Sequence, residues 1–363
     1  MLKTAIRLAD GRELIYFDAV AGARRDARDV RTLDVLHRSS ELRYDPLLDL
    51  WVIYASHRQD RSFLPSTEEC PLCPTRVGHL SEIPAPSYEV VVFENRFPAL
   101  GTASAGELAG ASGPPASLLF ERPAAGRCEV ICYSDEHDAT FAGLSEQRVR
   151  LVLEALVDRS TELAELPGVE QGFCFENRGK EIGVTQTHPH GQIYAYPFVT
   201  PRTQRMLSSV EAHFRRTGRN LFDDLVQSER EARSRVVLQS EHWTAFVPHA
   251  ARWPYEVHCY PNVRVPDLAE LAPDAFGELA AVELDLFGRF ARLFDAPAPY
   301  IAAWHQAPVA EGRRHFALHL ELFTVRRTND KLKYLAGSES GMDAFANDVV
   351  PEVAAARLRE VGR

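Results

Sequence analysis

Cys128-Glu129-Val130-Ile131-Cys132-Tyr133 and Tyr255-Glu256-Val257-His258-Cys259-Tyr260 are two apolar runs that share four of their six residues at an offset of 127 positions. Each run is followed, at nearly the same distance, by a long stretch whose apolar residues recur at spacings of three and four, as in an amphipathic helix. Further along, His188-Pro189-His190 has a counterpart in His319-Leu320-Glu321, at an offset of 131 positions. This repeated order of strand, helix and histidine-bearing strand indicates a duplicated unit.

The repeat predicts an α+β fold, in which two tandem copies of one unit carry antiparallel sheets with helices packed on them. The spacing predicts helices over residues 145–166, with Ser145 as the N-cap, and over 273–294, with Pro273 near the first turn. A hairpin is expected around Asp10-Gly11. The predicted divisions are an N-terminal arm and hairpin over 1–44, two units over 45–200 and 215–330, and a C-terminal segment over 331–363.

The overall charge limits the classes of partner. The 363 residues carry 41 lysines and arginines against 51 aspartates and glutamates, a net charge of −10, which argues against a protein that coats nucleic acid. No stretch reaches the roughly 18–20 apolar residues of a membrane span, and the N-terminal stretch lacks the apolar run of a secretory signal. Six cysteines are too few for a disulfide scaffold of this length. We therefore expect a cytoplasmic enzyme that binds neither nucleic acid nor membrane.

The chemistry is expected in Thr187-His188-Pro189-His190-Gly191-Gln192-Ile193-Tyr194. On a strand, His188 and His190 point to the same face, and Gln192 adds an amide to it. Gly191 removes a side chain beside them, which lets a ligand approach the backbone. A neutral imidazole can attack phosphorus while an amide stabilises charge on the phosphorus-bound oxygens. Structural histidines in a half-buried strand are the alternative, and the neighbouring glycine and glutamine favour catalysis.

Cys70-Pro71-Leu72-Cys73 has the cysteine spacing of a zinc knuckle. One knuckle supplies only two ligands, so a closed tetrahedral site needs two more, and His137 and His188 are the candidates. A redox pair and ordinary loop cysteines are alternatives that this spacing leaves open.

Taken together, these strings resemble the galactose-1-phosphate uridylyltransferase family, the two-repeat branch of the histidine-triad superfamily. The resemblance runs from about residue 43 to the C-terminal Ala354–Arg359 and leaves out residues 1–40. In sequence order it is carried by Arg43–Leu47, Ser56–Arg61, Cys70–Cys73, Phe93–Phe97, Ser134–His137, Phe175–Gly179, His188–Gln192, Glu241–Trp243, Trp253–Glu256 and Trp304–Pro308.

The resemblance implies a ping-pong transfer, in which His190 attacks the α-phosphorus of UDP-glucose and releases glucose 1-phosphate. Galactose 1-phosphate then attacks the uridylyl-histidine and leaves as UDP-galactose, a step of galactose metabolism (the Leloir pathway). Gln192 stands where hydrolytic members of the superfamily carry a third histidine. Because a neutral amide cannot shuttle a proton to water, this residue favours a lasting intermediate over hydrolysis.

The same resemblance implies roles for binding residues. The family's zinc ligands are matched by Cys70, Cys73, His137 and His188. Arg58 and Arg61 match arginines that meet the phosphates from the partner subunit of a homodimer. The nucleotide-sugar pocket and the segment over the phosphates and hexose are matched by Asn95, Arg96, Asn177, Gly183, Val184, Thr185, Gln192, Lys333, Tyr334 and Glu339. Ser338 departs from the pattern, because many members carry an aromatic residue there.

Some members of the family hold a second metal, built from one glutamate and three histidines. Here His305 and His319 match, Glu321 takes the third histidine position, and Met206 takes the distant glutamate position. A carboxylate in place of a histidine hardens such a site. The resemblance therefore implies an altered second site for iron or zinc at His305, His319 and Glu321, with satisfied core histidines as the alternative.

Two other functions stay open on the sequence alone. A related nucleotidyltransferase or phosphorylase could use the same chemistry on ADP-glucose, since the choice of base depends on the shape of the pocket. A zinc-stabilised binding module without catalysis is the other, and the intact His190 and Gln192 argue against it.

Overall fold

The computed structural model describes residues 1–20, 22–33, 40–60, 65–101 and 118–362, so Arg61 lies outside the described residues. The strands in this part of the chain are β1 Leu2–Arg7, β2 Glu13–Asp18, β3 Glu41–Asp45, β4 Leu50–Tyr54, β5 Val90–Glu94, β6 Glu121–Pro123, β7 Arg127–Cys132, β8 Gln171–Arg178, β9 His190–Tyr196, β10 Val236–Gln239, β11 Trp243–Phe246, β12 Tyr255–Pro261, β13 Tyr300–His305 and β14 His319–Thr324. The α-helices are α1 Glu146–Ala164, α2 Pro201–Thr217, α3 Leu221–Ala232, α4 Pro273–Ala291, α5 Gly337–Met342 and α6 Pro351–Glu360.

Eleven of the described strands form one antiparallel sheet in the order β1-β2-β5-β7-β9-β8-β13-β14-β12-β11-β10. β8 and β13 pair at the middle of this sheet. On either side of them the chain follows the same path, which is β7, α1, β8, β9 in the first half and β12, α4, β13, β14 in the second. The predicted α+β duplication is confirmed, and both units contribute to a single sheet.

The two long helices cover one face of this sheet. α1 begins after Ser145, whose hydroxyl oxygen accepts a hydrogen bond from the Arg148 N–H at 3.2 Å, as the sequence predicted. α4 begins at Pro273, whose missing N–H costs nothing in a first turn. Apolar residues of both helices and of the sheet, such as Leu153 and Leu286, form one buried core. The opposite face of the sheet is therefore left for polar side chains.

β7 and β12 are the strands with matching sequences, but the matched side chains face opposite ways. Val130 lies directly opposite Gln192 of β9 and shares its face. Val257, its counterpart in the string alignment, packs instead in the core under the helices. Because side chains alternate along a strand, the alignment at an offset of 127 joins residues on opposite faces and is wrong residue by residue.

The middle of the sheet gives the correct correspondence between the halves. The central pair of β8 and β13 is flanked by Gln192 of β9 on one side and by Glu321 of β14 on the other. Gln192 therefore corresponds to Glu321. The histidines that precede them by two positions, His190 and His319, correspond as well. The expectation that Glu321 is the counterpart of His190 is wrong by two residues.

The N-terminal hairpin of β1 and β2 is present as predicted, with Gly11 in its turn at a φ of 83°. The sequence did not predict the three-stranded sheet β4-β3-β6, nor α2 and α3, which join the two halves. The divisions at residues 44, 200, 215 and 330 stay a prediction. No described helix is both long and apolar enough to cross a membrane.

Candidate active site

β9 carries the residues expected to do chemistry on the face opposite the helices. His190, Gln192 and Tyr194 alternate along this strand and share that face. His188 lies just before the strand, so the expectation that both histidines stand side by side on one strand is wrong. The strand starts after Pro189, since proline has no N–H to give to the sheet.

Gly191 is required by what lies beneath the strand. A Cβ at this position would come within 2.1 Å of the Tyr133 hydroxyl oxygen and 3.1 Å of the Phe175 carbonyl oxygen. The glycine therefore allows a close approach on the helix side of the sheet. The ligand-side role predicted from the sequence is wrong.

His190 is held in one tautomer. Its Nδ1 lies 2.8 Å from the backbone carbonyl oxygen of His188. A carbonyl only accepts, so Nδ1 carries the proton and Nε2 carries the lone pair. Burial lowers the pKa of His190, the hydrogen bond to His188 opposes this shift, and the charge of Arg178 adds to it. The ring is therefore a neutral nucleophile near pH 7.

Gln192 is oriented by its neighbour on the same face. The Tyr194 hydroxyl donates to Oε1 of Gln192 at 3.3 Å, which leaves the amide NH₂ to donate to a ligand. The same hydroxyl accepts from Nη1 of Arg58 at 3.3 Å. Arg58 is thus connected to the predicted catalytic amide through Tyr194.

A cavity of about 190 Å³ opens beside His190 and Gln192. Its other polar lining residues are Glu82, Asn95, Arg96, Thr185 and Gln186. Its apolar lining residues are Pro71, Leu72, Phe93, Phe97 and Val130. The structure therefore brings Asn95, Arg96 and Thr185 together with His190 and Gln192, as predicted. Apolar walls beside a polar end suit a planar base joined to a phosphate.

Several predicted binding residues lie outside the lining of this cavity. Asn177 of β8 pairs with Ile301, and β8 lies next to β9 in the sheet. Gly183 ends the short helical turn Lys180–Ile182 with a φ of 81°, and Val184 follows it.

The C-terminal residues predicted to cover the substrate also lie away from the cavity lining. Lys333 donates to Glu339 Oε1 at 2.7 Å and to the Ala346 carbonyl oxygen. The side chain of Tyr334 is exposed. Within the described part of one chain, Lys333 and Glu339 of this segment therefore bind each other.

The four predicted zinc ligands converge. One ligand atom from each lies within 4.8 Å of the others in the set Cys70, Cys73, His137 and His188. Nδ1 of His137 and of His188 lies 3.4 and 3.6 Å from the Cys73 sulfur. Nε2 of His188 is 2.8 Å from the Ser134 carbonyl oxygen, which fixes Nδ1 as the ligand atom. Two thiols and two imidazoles in a buried cluster fit a tetrahedral zinc.

A second group converges in the other half. His305, His319 and Glu321 offer ligand atoms within 4.8 Å of one another. Nε2 of His319 is buried and has no hydrogen-bond partner among the described residues. Burial lowers the pKa of His319 to about 4, so its ring is neutral. Arg202 of α2 donates to Glu321 Oε1 at 2.6 Å, and Met206, one turn later, supplies no ligand oxygen.

Known proteins match this chain along its length. The family described as galactose-1-phosphate uridyl transferase matches with its N-terminal domain over residues 31–200 and its C-terminal domain over 206–363. This chain belongs to that family. The galactose-1-phosphate uridylyltransferase of Streptomyces lividans is 49% identical over 99% of this chain and 98% of its own. The galactose-1-phosphate uridylyltransferase of Thermotoga maritima is 38% identical over 88% of this chain and 98% of its own. A solved uridylyltransferase structure is 30% identical, and the match covers 89% of this chain and 98% of the solved chain with a TM-score of 0.78.

Three residues of this candidate site were not predicted from the sequence. Tyr194 lies two positions after Gln192 and could have been found from strand alternation. Tyr88 donates to the Leu72 carbonyl oxygen at 3.0 Å, and its hydroxyl lies 2.9 Å from His188 Nε2. Glu82 lines the cavity, and no local sequence pattern predicts that position.

Proposed function

We propose that this member of the galactose-1-phosphate uridyl transferase family transfers a uridylyl group from UDP-glucose to galactose 1-phosphate through a uridylyl-histidine. The observation that carries the proposal is His190, whose tautomer is fixed and which lies with Gln192 at a cavity suited to a nucleotide. The products are UDP-galactose and glucose 1-phosphate, which makes the chain an enzyme of galactose metabolism.

The reaction follows from the positions of the two side chains. Nε2 of His190 attacks the α-phosphorus, a P–N bond forms, and the P–O bond to glucose 1-phosphate breaks. An oxygen of galactose 1-phosphate then attacks the same phosphorus and restores the free imidazole. The amide NH₂ of Gln192 donates to a non-bridging oxygen and stabilises the charge that builds up in each step. A sugar phosphate leaves without a proton, so the site needs no general acid.

The test is a single turnover without acceptor. Mixed with UDP-glucose alone, the protein should release glucose 1-phosphate in an amount close to that of the enzyme and gain the mass of one uridylyl group. His190→Asn should abolish both, while His213→Asn on the remote helix α2 should change neither. ADP-glucose in place of UDP-glucose should give no burst. A mass gain in the His190→Asn protein would show that another group is the nucleophile.

We also propose that zinc binds at Cys70, Cys73, His137 and His188. The convergence of two thiols and two oriented imidazoles supports this choice. Bound zinc supplies a rigid tie between the knuckle and the residues before β9. Cys70→Ser should lower both the zinc content and the melting temperature, because the free energy of metal binding contributes to folding. Protein purified without chelator that contains no zinc would exclude the site.

His305, His319 and Glu321 are proposed as a second site for a divalent cation, iron or zinc. Neighbouring His305 holds the pKa of Glu321 well below its usual range, although burial opposes the charge. Nε2 of His319 makes no hydrogen bond to the described residues and lies 3.6 Å from Glu321 Oε1, so both atoms are suited to bind one metal ion. Metal analysis should then give more than one ion per chain, and His319→Ala should remove one. A content near one ion per chain in both proteins would eliminate this site.

The proposed assembly is a homodimer in which Arg58 and Arg61 meet the phosphates bound to the partner chain. Arg58 does not line the cavity of its own chain. The β3–β4 hairpin that leads into Arg58 exposes Leu47, Val52 and Tyr54, an apolar surface of the kind that a subunit interface covers.

A cytoplasmic location is proposed as well, because all six cysteines are unpaired thiols.

A further inference from the structure

The cavity beside His190 contains a carboxylate that the transfer reaction does not use. Glu82 lines this cavity with Asn95 and Arg96, and only 6% of its surface is exposed. Resting on the proposed function, we propose that Glu82 and Arg96 together bind the two ribose hydroxyls of the nucleotide. Arg12 and Arg31 of the N-terminal arm hold Glu82 in place.

Glu82 is fixed by arginines on both of its oxygens. Arg31 donates from Nη1 to Oε1 at 2.8 Å, and Arg12 donates from Nη2 to Oε2. The backbone N–H of Glu82 donates to the Pro71 carbonyl oxygen at 3.0 Å, next to the zinc knuckle. The carboxylate is therefore immobile at the cavity wall before any ligand arrives.

With Arg96 at 3.9 Å included, three arginines face the three carboxylates Asp10, Asp29 and Glu82, so the charges balance without a ligand. Arg12 also binds Asp10, with Nε donating at 2.7 Å, and Arg31 also binds Asp29 at 2.8 Å. Each arginine is thus shared between two carboxylates. A neutral hydroxyl-bearing ligand can join this network without adding an unpaired charge to a buried site.

Arg96 is only loosely paired with the described residues around it. Its Nη1 lies 3.9 Å from Glu82 Oε1, too far for a strong hydrogen bond. Its Nε is buried and has no hydrogen-bond partner among the described residues. A ligand in the cavity therefore meets the rest of the Arg96 side chain, which lines the cavity and is 33% exposed. Its terminal nitrogens are the donors that can meet an acceptor oxygen on the ligand.

A vicinal diol fits these two side chains. Each carboxylate oxygen has two lone pairs, and each of the Glu82 oxygens uses one for an arginine, so both can still accept from a hydroxyl. The guanidinium of Arg96 can donate to the hydroxyl oxygens from the other side. The base has apolar walls available at Leu72, Phe93 and Val130, and the phosphate has Gln192. The ribose between them is then left for Glu82 and Arg96.

The arm acquires a role from these contacts. Arg12 precedes the residues that match the family's N-terminal domain, and Arg31 is the first residue of that match. Arg12 is only 2% exposed although it is charged, and it also donates to the Glu94 carbonyl oxygen at 2.9 Å. A buried arginine of this kind is stable in the core only because its charge is paired. The hairpin and arm therefore form the outer support of the nucleotide pocket.

The test compares the binding of UMP and 2′-deoxy-UMP by calorimetry. The wild-type chain should bind UMP roughly 10- to 100-fold more tightly, the range expected for hydrogen bonds to charged groups. Glu82→Gln should reduce this ratio to about twofold or less, and it should weaken the binding of 2′-deoxy-UMP less than that of UMP, because the deoxy ligand keeps only its 3′ hydroxyl. Arg25→Gln is the matched control, since Arg25 lies in the same arm but binds Asp18, and its ratio should equal that of the wild type.

Arg31→Gln and Arg31→Lys test the support by the arm. The glutamine variant should lower the UMP preference by about threefold to tenfold, and lysine, which keeps the charge, should restore part of it. These variants keep the proposal testable if the Glu82 variant does not fold. An Arg31→Gln protein with the full wild-type preference would contradict the role of the arm.

The measurements separate this proposal from uridylyl transfer itself. A wild-type chain that binds UMP and 2′-deoxy-UMP equally overturns the ribose role, whatever the glucose 1-phosphate assay shows. An equal loss of both affinities in a folded Glu82→Gln protein also overturns it, because that result assigns Glu82 a structural role. A preserved preference with no release of glucose 1-phosphate would support the ribose role and reject the transfer.

Discussion

His190 and His319 make the same hydrogen bond and differ in access. Each donates from Nδ1 to the carbonyl oxygen two residues earlier, at 2.8 Å. His190 lines a cavity, whereas His319 is fully buried. The duplicated strand thus prepares a neutral imidazole twice, and of the two only His190, which lines a cavity, is placed to act as a nucleophile.

The state of the His190 ring gives a pH dependence. Because burial lowers its pKa below the usual 6.5, the ring stays neutral at pH 7 and becomes protonated only at more acid pH. Protonation removes the lone pair, so the single-turnover rate should be level above neutrality. It should fall about tenfold per pH unit below an inflection under pH 6.5. Arg178→Gln should move this inflection upward. A rate that rises as the pH falls would contradict a neutral nucleophile.

Tyr194→Phe should weaken the hold on the amide of Gln192. The variant loses the hydroxyl that donates to Oε1 at 3.3 Å, so the amide can turn its oxygen toward the phosphate. We expect uridylylation to slow by about twofold to tenfold, as for one neutral hydrogen bond, with little change in melting temperature. Tyr196→Phe, on the same strand and face, is the control. Equal rates in both variants would mean that Tyr194 does not orient Gln192.

The sequence alone was enough to predict those site residues whose positions depend on one short stretch of chain. His190 and Gln192 stand two apart on a strand, so their type and spacing were enough to place them on one face. The support around them comes from distant parts of the chain. Glu82 reaches the cavity only because Arg12 and Arg31, both far from it in sequence, bind it. No local periodicity encodes such contacts.

At the scale of elements, the sheet explains why the repeat was found but misaligned. β7 and β12 are buried on both faces, so each reads as a continuous apolar run without alternation. A string match in such strands carries no information about which side chains share a face. The pairing of β8 with β13 supplies that information, because it relates the two halves through one central register.

Buried carboxyl groups between α4 and the sheet predict a loss of stability at high pH. Burial raises the pKa of Glu283 to about 8 and that of Glu176 to about 7. The folded chain therefore keeps protons that the unfolded chain releases above its pKa of about 4.5. Stability should fall as the pH rises from about 4.5 to 8 and then level off.

Glu283→Gln tests this by making one group permanently neutral. The amide oxygen can still accept from the Trp304 indole N–H, which donates to Glu283 at 3.2 Å. The variant should gain melting temperature over the wild type as the pH rises from 5 to 9, by roughly 2 °C per kcal/mol. Glu278→Gln, on the same helix, is the control. A difference that is independent of pH would show that Glu283 is ionised in the folded chain.

At the scale of the whole molecule, one sheet joins a half in which His190 and Gln192 line a cavity to a half in which the corresponding His319 and Glu321 are buried. α2 connects the halves and carries Arg202, which binds the buried Glu321. Glu321 corresponds to Gln192, so the second half has a charged group where the first half has a neutral amide. The guanidinium neutralises this charge where no solvent can. The linker between the units therefore also completes the second cluster.

The proposed sharing of Arg58 between two chains gives a prediction that a mixed assembly can test. Arg58→Ala and His190→Asn proteins should each be inactive as homodimers. In a mixed dimer, the Arg58→Ala chain keeps its nucleophile and receives Arg58 from its partner, so one site of the two is complete. Equal mixing with verified exchange should restore about a quarter of the wild-type activity.

The matched control places both substitutions on one chain and mixes it with the wild type. If Arg58 acts across the interface, the wild-type nucleophile in the mixed dimer lacks its arginine, and the activity falls as mixed dimers form. The hydrogen bond from Arg58 to Tyr194 within one chain predicts the opposite pattern, in which each wild-type chain keeps its activity and the first mixture stays inactive. The two mixtures therefore give opposite results for the two arrangements, and an inactive first mixture with full exchange rejects the shared site.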